Sequence, residues 1–359
     1  MSNISKIKIP ELSALILMNI SLIISWIAYN EYQPVLVEKF GLEHLIGVLT
    51  YGKALVLVVI PVFAGFLTDY LMKKNNKFFT VYSIGIAAAG MTFMAVASMI
   101  PLEPSTFTFF VLPVMVVIWL VAMNLFVSPA NSLIDLFAPK NKLPTLMAAL
   151  FITSELTYSI EPLIIDLIHF IGPSLTFVLG GVLVVGSGVF FIKQTSDEIS
   201  LRTNPGVVRQ QSISMFMVIA IGLILGLAHS FIFYVIPQNI FELRLMGDFS
   251  NSSIATMLLV FAALCSFPIS IYWSKRELQI RSIYATIALT IVSAMTLFML
   301  NSPMLTIFNT LLMVYAYVTL SIVGLPYIIM RLDGRKITLG IGIFIGASEI
   351  FDSIFEIIS

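Results

Sequence analysis

The sequence predicts an all-α protein that crosses a membrane many times, and three observations carry that prediction. Hydrophobic residues fill 59% and charged residues only 11% of the 359 positions, and the mean hydropathy is +1.02, too little charge for a water-soluble domain. Apolar runs of about twenty residues recur along the chain, and each makes a helix of about 30 Å, the thickness of a bilayer's hydrocarbon core. Sixteen of the nineteen Lys and Arg gather in alternate connections between those runs, the asymmetry that orients helices in a membrane.

Taken in order, the runs fall at 12–33, 45–68, 78–100, 107–134, 144–168, 174–192, 212–237, 252–273, 282–300, 304–330 and 337–358, eleven candidate spans. Strand-type spans are excluded, because the runs are continuously apolar and much longer than the roughly 9–11 residues of a barrel strand. Pro101 and Pro104, Gly172 and Pro173, and Asn301 to Pro303 punctuate them as helix ends require. Lys6 and Lys8 precede the first run, which continues to Trp26 without a small-x-small cleavage pattern, so it reads as a retained span.

The basic connections hold Lys6 and Lys8; Lys73, Lys74 and Lys77; Lys140 and Lys142; Lys193, Arg202 and Arg209; Lys275, Arg276 and Arg281; and Arg331, Arg335 and Lys336. The N-terminus is therefore expected in the cytoplasm and Ser359 outside, with Lys39 and Arg244 on outer connections and Lys53 inside a span. The expected location is the cell membrane.

The longest inner connection, residues 193–211, is polar and carries the Asn204–Pro205–Gly206 turn. It divides the chain into a bundle of six spans (1–192) and one of five (212–359). A weak internal repeat supports this division: Pro34 matches Pro237, Lys73, Lys74 and Tyr82 match Lys275, Arg276 and Tyr284, and Ser154-Glu155 matches Ser348-Glu349. Two parallel halves related by an axis along the membrane normal are the expected arrangement.

Between the second and third runs stands Gly65-x-x-x-Asp69-x-x-x-Lys73-Lys74. Asp69 lies at the C-terminal end of a helix, where the helix dipole disfavours a carboxylate by roughly 0.3–1 kcal/mol, so it needs a positive partner such as another helix's N-terminus or a loop Arg or Lys. Gly65, one turn earlier, lets such a neighbour come close. This pattern resembles the signature loop of the major facilitator superfamily of secondary transporters. The second half keeps only its basic part, since Gly65 and Asp69 map to Phe267 and Ile271. The family's pattern is twelve spans, whereas this sequence stops after the eleventh. The resemblance implies that Asp69 latches a conformational gate against the start of the eleventh span. It also implies that the first and fourth spans of each half line a substrate cavity.

On the first of those spans, Trp26, Tyr29, Asn30 and Gln33 share one helix face. Aromatic rings beside amides suit a hydroxylated or amphipathic solute, although the same face also fits an interfacial aromatic belt. In the fourth, Asn124-x4-Pro129-x5-Asp135 is faintly similar to the sugar and glycoside–cation symporters, but Asn131 stands where that branch has a basic residue. His229, matching Trp26 in the second half, is the histidine best placed for proton chemistry. Lys53, charged at mid-depth, should face a partner or a wet cavity, or snorkel toward the surface. The packing implied by the resemblance favours Glu349 or Asp352, one turn further out, with Glu155 the other mid-span carboxylate.

Other classes find less support. Zero net charge gives no case for nucleic acid, and Cys265 alone allows no internal disulfide and no cysteine metal site. The three histidines show no metal-ligand spacing, and no hydrolase or protease motif is present. The expectation is a monomeric, proton-coupled transporter of a small solute such as a sugar, without cofactor. An efflux transporter of drugs or metabolites, and a sensor or scaffold on the same fold, are the alternatives.

Overall fold

The computed structural model describes residues 6–201, 213–242, 249–297, 299 and 302–358. Arg202, Arg209, Arg244, Asn301 and the Asn204–Gly206 turn lie outside them. The α-helices are α1 (Ile9–Lys39), α2 (Ile46–Asn75), α3 (Phe79–Met99), α4 (Thr106–Leu125), α5 (Val127–Asn131), α6 (Leu143–Ser159), α7 (Glu161–Ile171), α8 (Pro173–Thr195), α9 (Met215–Ser230), α10 (Ile236–Glu242), α11 (Asn251–Ser274), α12 (Ile280–Leu297), α13 (Pro303–Arg331) and α14 (Ile337–Ile358). No strand occurs among the described residues, and the chain is a multi-pass membrane protein.

Local chemistry sets the helix ends. Pro10, Pro144, Pro162, Pro173 and Pro303 sit in the first turns of their helices, where the missing N–H costs nothing. Ser105 and Thr108 form a capping box on α4, and Ser214 and Ser250 cap α9 and α11. Asn76, at φ 55°, ends α2 in a left-handed turn, which asparagine tolerates better than most residues.

Nine described helices, some with their short extensions, are long and apolar enough to cross a bilayer, and ten if the bent pair α6–α7 counts as one. Against the eleven candidate spans of the sequence, three runs differ in detail. The fifth run bends by 58° between Ser159 and Glu161, because Pro162 has no N–H to bond the carbonyl of Tyr158 four residues back and its ring crowds that carbonyl. The seventh run passes through a π-helical turn, Phe231–Val235, between α9 and α10. The eleventh, α14, is a 22-residue helix that stands outside the nine or ten.

Packing centres on α13 and α14. In α13, 83% of its most apolar window is buried inside the protein. Helix α14 is gripped from two sides. A Cβ at Gly342 or Gly346 would overlap the carbonyls of Pro61 and Val58 on α2, and one at Gly226 would overlap that of Ser348 on α14. Small residues let membrane helices meet backbone to backbone, where no hydrophobic force drives them together. Helix α6 packs along α11.

The basic connections collect at one end of the bundle. Lys8 donates its backbone N–H to Phe137 O and pairs with Glu198, while Arg331 donates to Leu278 O and accepts from Ile213 N. Lys73 and Lys74 are exposed there. We call this the basic end and its opposite the far end.

Candidate functional site

The residues singled out in the sequence fall into three groups along one path, from the basic end to the far end. At the basic end Asp69 accepts hydrogen bonds from the backbone N–H groups of Thr338 (3.3 Å) and Leu339 (2.8 Å), the first turn of α14. The partner is thus a helix N-terminus, whose unpaired N–H groups and dipole both favour a carboxylate. Gly65 allows the approach, since a Cβ there would overlap Thr338 O. Ser128 adds a third strand to the contact by donating to Pro61 O at 2.8 Å.

Mid-span, helices α6, α9, α13 and α14 bring five titratable groups together. His229 Nδ1 lies 2.7 Å from Asp352 Oδ2, and Ser230 Oγ donates to Asp352 Oδ1 at 2.6 Å. Tyr317 OH donates to Glu155 Oε1 at 2.7 Å, and the Tyr317 ring sits 5.7 Å from the His229 ring. Glu155 and Glu349 are both near enough to His229 to act on its charge. Glu155 is only 5% exposed, and its second oxygen, Oε2, is buried without a hydrogen-bond partner. The π-helical turn follows directly on His229 and Ser230, the kind of irregularity that often marks functional sites.

Toward the far end Lys53 meets Glu356 at 2.7 Å, Asn30 Oδ1 at 3.4 Å, and the ring faces of Trp26 and Tyr29 at 5.6 and 5.8 Å. The expected partner, Glu349 or Asp352, is therefore corrected to Glu356. The reason lies in how side chains leave a helix. Gly65, Pro61 and Val58 face Thr338, Gly342 and Gly346, and continuing that antiparallel register brings Lys53 level with about residue 350. Side chains tilt toward their helix's N-terminus, so Lys53 leans to the far end while the carboxylates of α14 lean to the basic end. Glu356 reaches down to meet Lys53. Glu349, although level with it, leans away toward His229.

Several positions expected in the substrate cavity have partners within the protein. Tyr29 stacks on Trp119 at 4.7 Å, and Trp26 packs edge-on to both. The space beside Tyr29, Gln33 and Trp119 is about 20 Å³, on the scale of a single water, and the rings pack against one another in this state. Asn124 is buried and donates its amide to Leu120 O of its own helix. Glu31 lies 2.7 Å from His169.

Sequence reading missed Tyr317, Ser230 and Glu356. Glu356 was detectable, because Glu349, Asp352 and Glu356 stand at i, i+3 and i+7 on one helix face. Nothing local distinguishes Tyr317 or Ser230 from other hydroxyls in apolar runs.

Glycine-lined helix contacts, a carboxylate-capped helix at one end and an ionisable cluster at mid-span define a polytopic bundle with a polar interior. Its fold is similar to that of solved structures of transporters, one of them described as a member of the major facilitator superfamily. The chain is similar to the crystal structure of the human organic anion transporter MFSD10 (TETRAN), with TM-score 0.62 and 11% identity over 97% of this chain and 92% of that one. It is also similar to the proton:xylose symporter XylE bound to 6-bromo-6-deoxy-D-glucose, with TM-score 0.54 and 12% identity over 97% and 87%. No family model and no curated protein matches the sequence.

Proposed function

We propose that the protein is a secondary transporter, not an enzyme, that moves a small amphipathic solute by alternating access. Residues 1–192 and 212–359 are the moving bodies and 193–211 their link. The observation that carries this reading is the mid-span cluster, in which Glu155 of the first body faces His229, Tyr317, Glu349 and Asp352 of the second. Ionisable groups are costly within a bilayer and mark substrate or proton paths by default. Here they stand where the two bodies meet, so a change of protonation or occupancy there alters the contact between the bodies. The printed descriptions of MFSD10 and XylE, an organic anion transporter and a proton:xylose symporter, support transport as the task of this architecture.

In this reading Asp69 is the latch of the basic end, closed here on α14, and Gly65, Lys73 and Lys74 complete it. With the basic end closed by this latch, solute and protons enter from the far end in this state. Protons are the coupling ion, the basic end is cytoplasmic, the membrane is the cell membrane and the working unit is a monomer. A sugar substrate has weaker support, because Asn124 and the Trp26–Tyr29 face are engaged within the protein.

The test is flux in liposomes loaded with a pH-sensitive dye, challenged with a panel of neutral sugars, organic anions and organic amines. At least one class should move lumenal pH only when the protein is present, and Glu349→Gln should abolish that signal. Thermal stabilisation by a solute without flux of any class would overturn transport in favour of a sensor.

A further inference from the structure

Charge pairing around the mid-span cluster does not close. Asp352 is matched by His229 and Glu356 by Lys53, at 2.7 Å each. Glu155 has only the neutral Tyr317 hydroxyl, on one of its two oxygens. Glu349 stands within the influence of Asp352, His229, Lys53 and Glu356, yet makes no hydrogen bond or ion pair among the described residues. Two carboxylates in a span are thus left without a cation, one of them in a residue only 5% exposed with an oxygen aimed at nothing. Burying such groups unpaired is costly, so each must take up a proton or a positive charge.

Aromatic rings surround the deficit. Phe151 and Tyr317 meet edge to face at 5.3 Å, Phe233 stacks on His229 at 5.9 Å, and Tyr234 stacks on Phe355 at 5.4 Å. Tyr158 lies within reach of Glu155, Glu349 and Asp352. Ring faces attract cations and shelter apolar bodies, and neither a sugar nor an organic anion would cancel the excess negative charge.

We propose that Glu155 and Glu349 supply the counter-charge for a monovalent organic cation with an apolar, aromatic-compatible body, bound among α6, α9, α13 and α14 in exchange for protons on those carboxylates. This rests on the transporter reading above and names its substrate class. The groups that set the exchange are His229 of α9, Tyr234 of the π-helical turn, Tyr317 of α13, Tyr158 of α6, Lys53 of α2, and Asp352 and Glu356 of α14.

The probes are tetraphenylphosphonium and tetraphenylborate, ions of nearly one shape and opposite charge, measured by equilibrium dialysis against the purified full chain. Tetraphenylphosphonium should bind the more tightly, weaken as pH falls, and release protons into weakly buffered solution when it binds the wild type. Glu155→Gln and Glu349→Gln should each weaken it roughly tenfold or more, with tetraphenylborate unaffected. The wild-type proton release needs no variant, so a misfolded substitution leaves the test intact. Equal or tighter binding of the borate, cation binding without proton release, or cation binding indifferent to both substitutions in folded protein would each overturn the proposal. Flux of sugars or anions without phosphonium binding would sink the cation site and leave transport standing; phosphonium binding without flux of any class would do the reverse.

Discussion

Two helix crossings flank the polar path, α2 with α14 and α6 with α11, and they are held in different ways. The α2–α14 crossing is tied at both ends, by Asp69 to the first turn of α14 and by Lys53 to Glu356, with Gly65, Gly342 and Gly346 bringing backbones into contact between them. Between α6 and α11 no hydrogen bond or ion pair occurs among the described residues, although the two pack along each other as extensively as any pair but a few. The positions that the internal repeat matches to Gly65 and Asp69 are Phe267 and Ile271. One crossing therefore has discrete contacts that must break for it to open. The other has only dispersion contacts, which allow sliding by small amounts. If the molecule rocks, the specific control lies on the α2–α14 side.

The strongest way to break this comparison is to fill the glycine contact. A Cβ at Gly342 would overlap Pro61 O and sit against backbone, which cannot rotate away as a side chain could. Gly342→Val should cost about 1–3 kcal/mol of overpacking, a shift of roughly 5–150-fold toward states with the crossing apart. Gly52→Ala on the partner helix α2 is the control, since nothing lies within 4 Å of a Cβ there, and it should be neutral or stabilising. Melting temperature and spin-label distances between Lys74 and Arg335 would read both. Equal effects from the two substitutions would mean that glycine contact does not hold the crossing.

Next in size is the latch itself. Asp69→Ala removes a carboxylate from two backbone N–H groups, a loss of the order of a helix cap, about 0.5–2 kcal/mol. The population with a long Lys74–Arg335 distance should rise roughly 2–30-fold by that measure, while affinity for any mid-span ligand changes little. An unchanged distance distribution would remove Asp69 from the gate.

How far the sequence foretold these features follows from their range. Helices, their basic end and the Asp69 environment were legible because span length, the Lys and Arg bias and a carboxylate at a helix C-terminus act locally. The α6–α7 bend was legible in principle from Pro162 and went unread, as did Gly342-x-x-x-Gly346 on α14, a small-x-x-x-small pattern that announces close packing. The partner of Lys53 was not legible, because it depends on the register between two helices nearly three hundred residues apart and on the opposite tilt of their side chains. The assembly of Glu155 with Tyr317 and His229 depends on three helices meeting, which no single run encodes.

The smallest effect is expected at the Lys53–Glu356 end, and it tests whether the two ends of the crossing are equivalent. Glu356 keeps 40% of its side chain exposed while Lys53 keeps 12%, so the pair is at the edge of the path and partly solvated. Exposed pairs contribute about 0.2–1 kcal/mol. After Glu356→Gln, Lys53 still has Asn30 and the faces of Trp26 and Tyr29, and the glutamine carbonyl can still accept its hydrogen bond. Far-end opening should therefore change by less than about fivefold, and the difference from wild type should fade as salt is raised. Lys53→Met should do slightly more, because it removes all of these partners at once and leaves Glu356 facing Asp352 one turn away on the same helix. The measurement is the far-end distance between labels on α2 and α14 at low and high ionic strength. If Glu356→Gln exceeded Asp69→Ala, the far-end pair rather than the capped helix would control the crossing, and the order of control drawn from the two ends would be reversed.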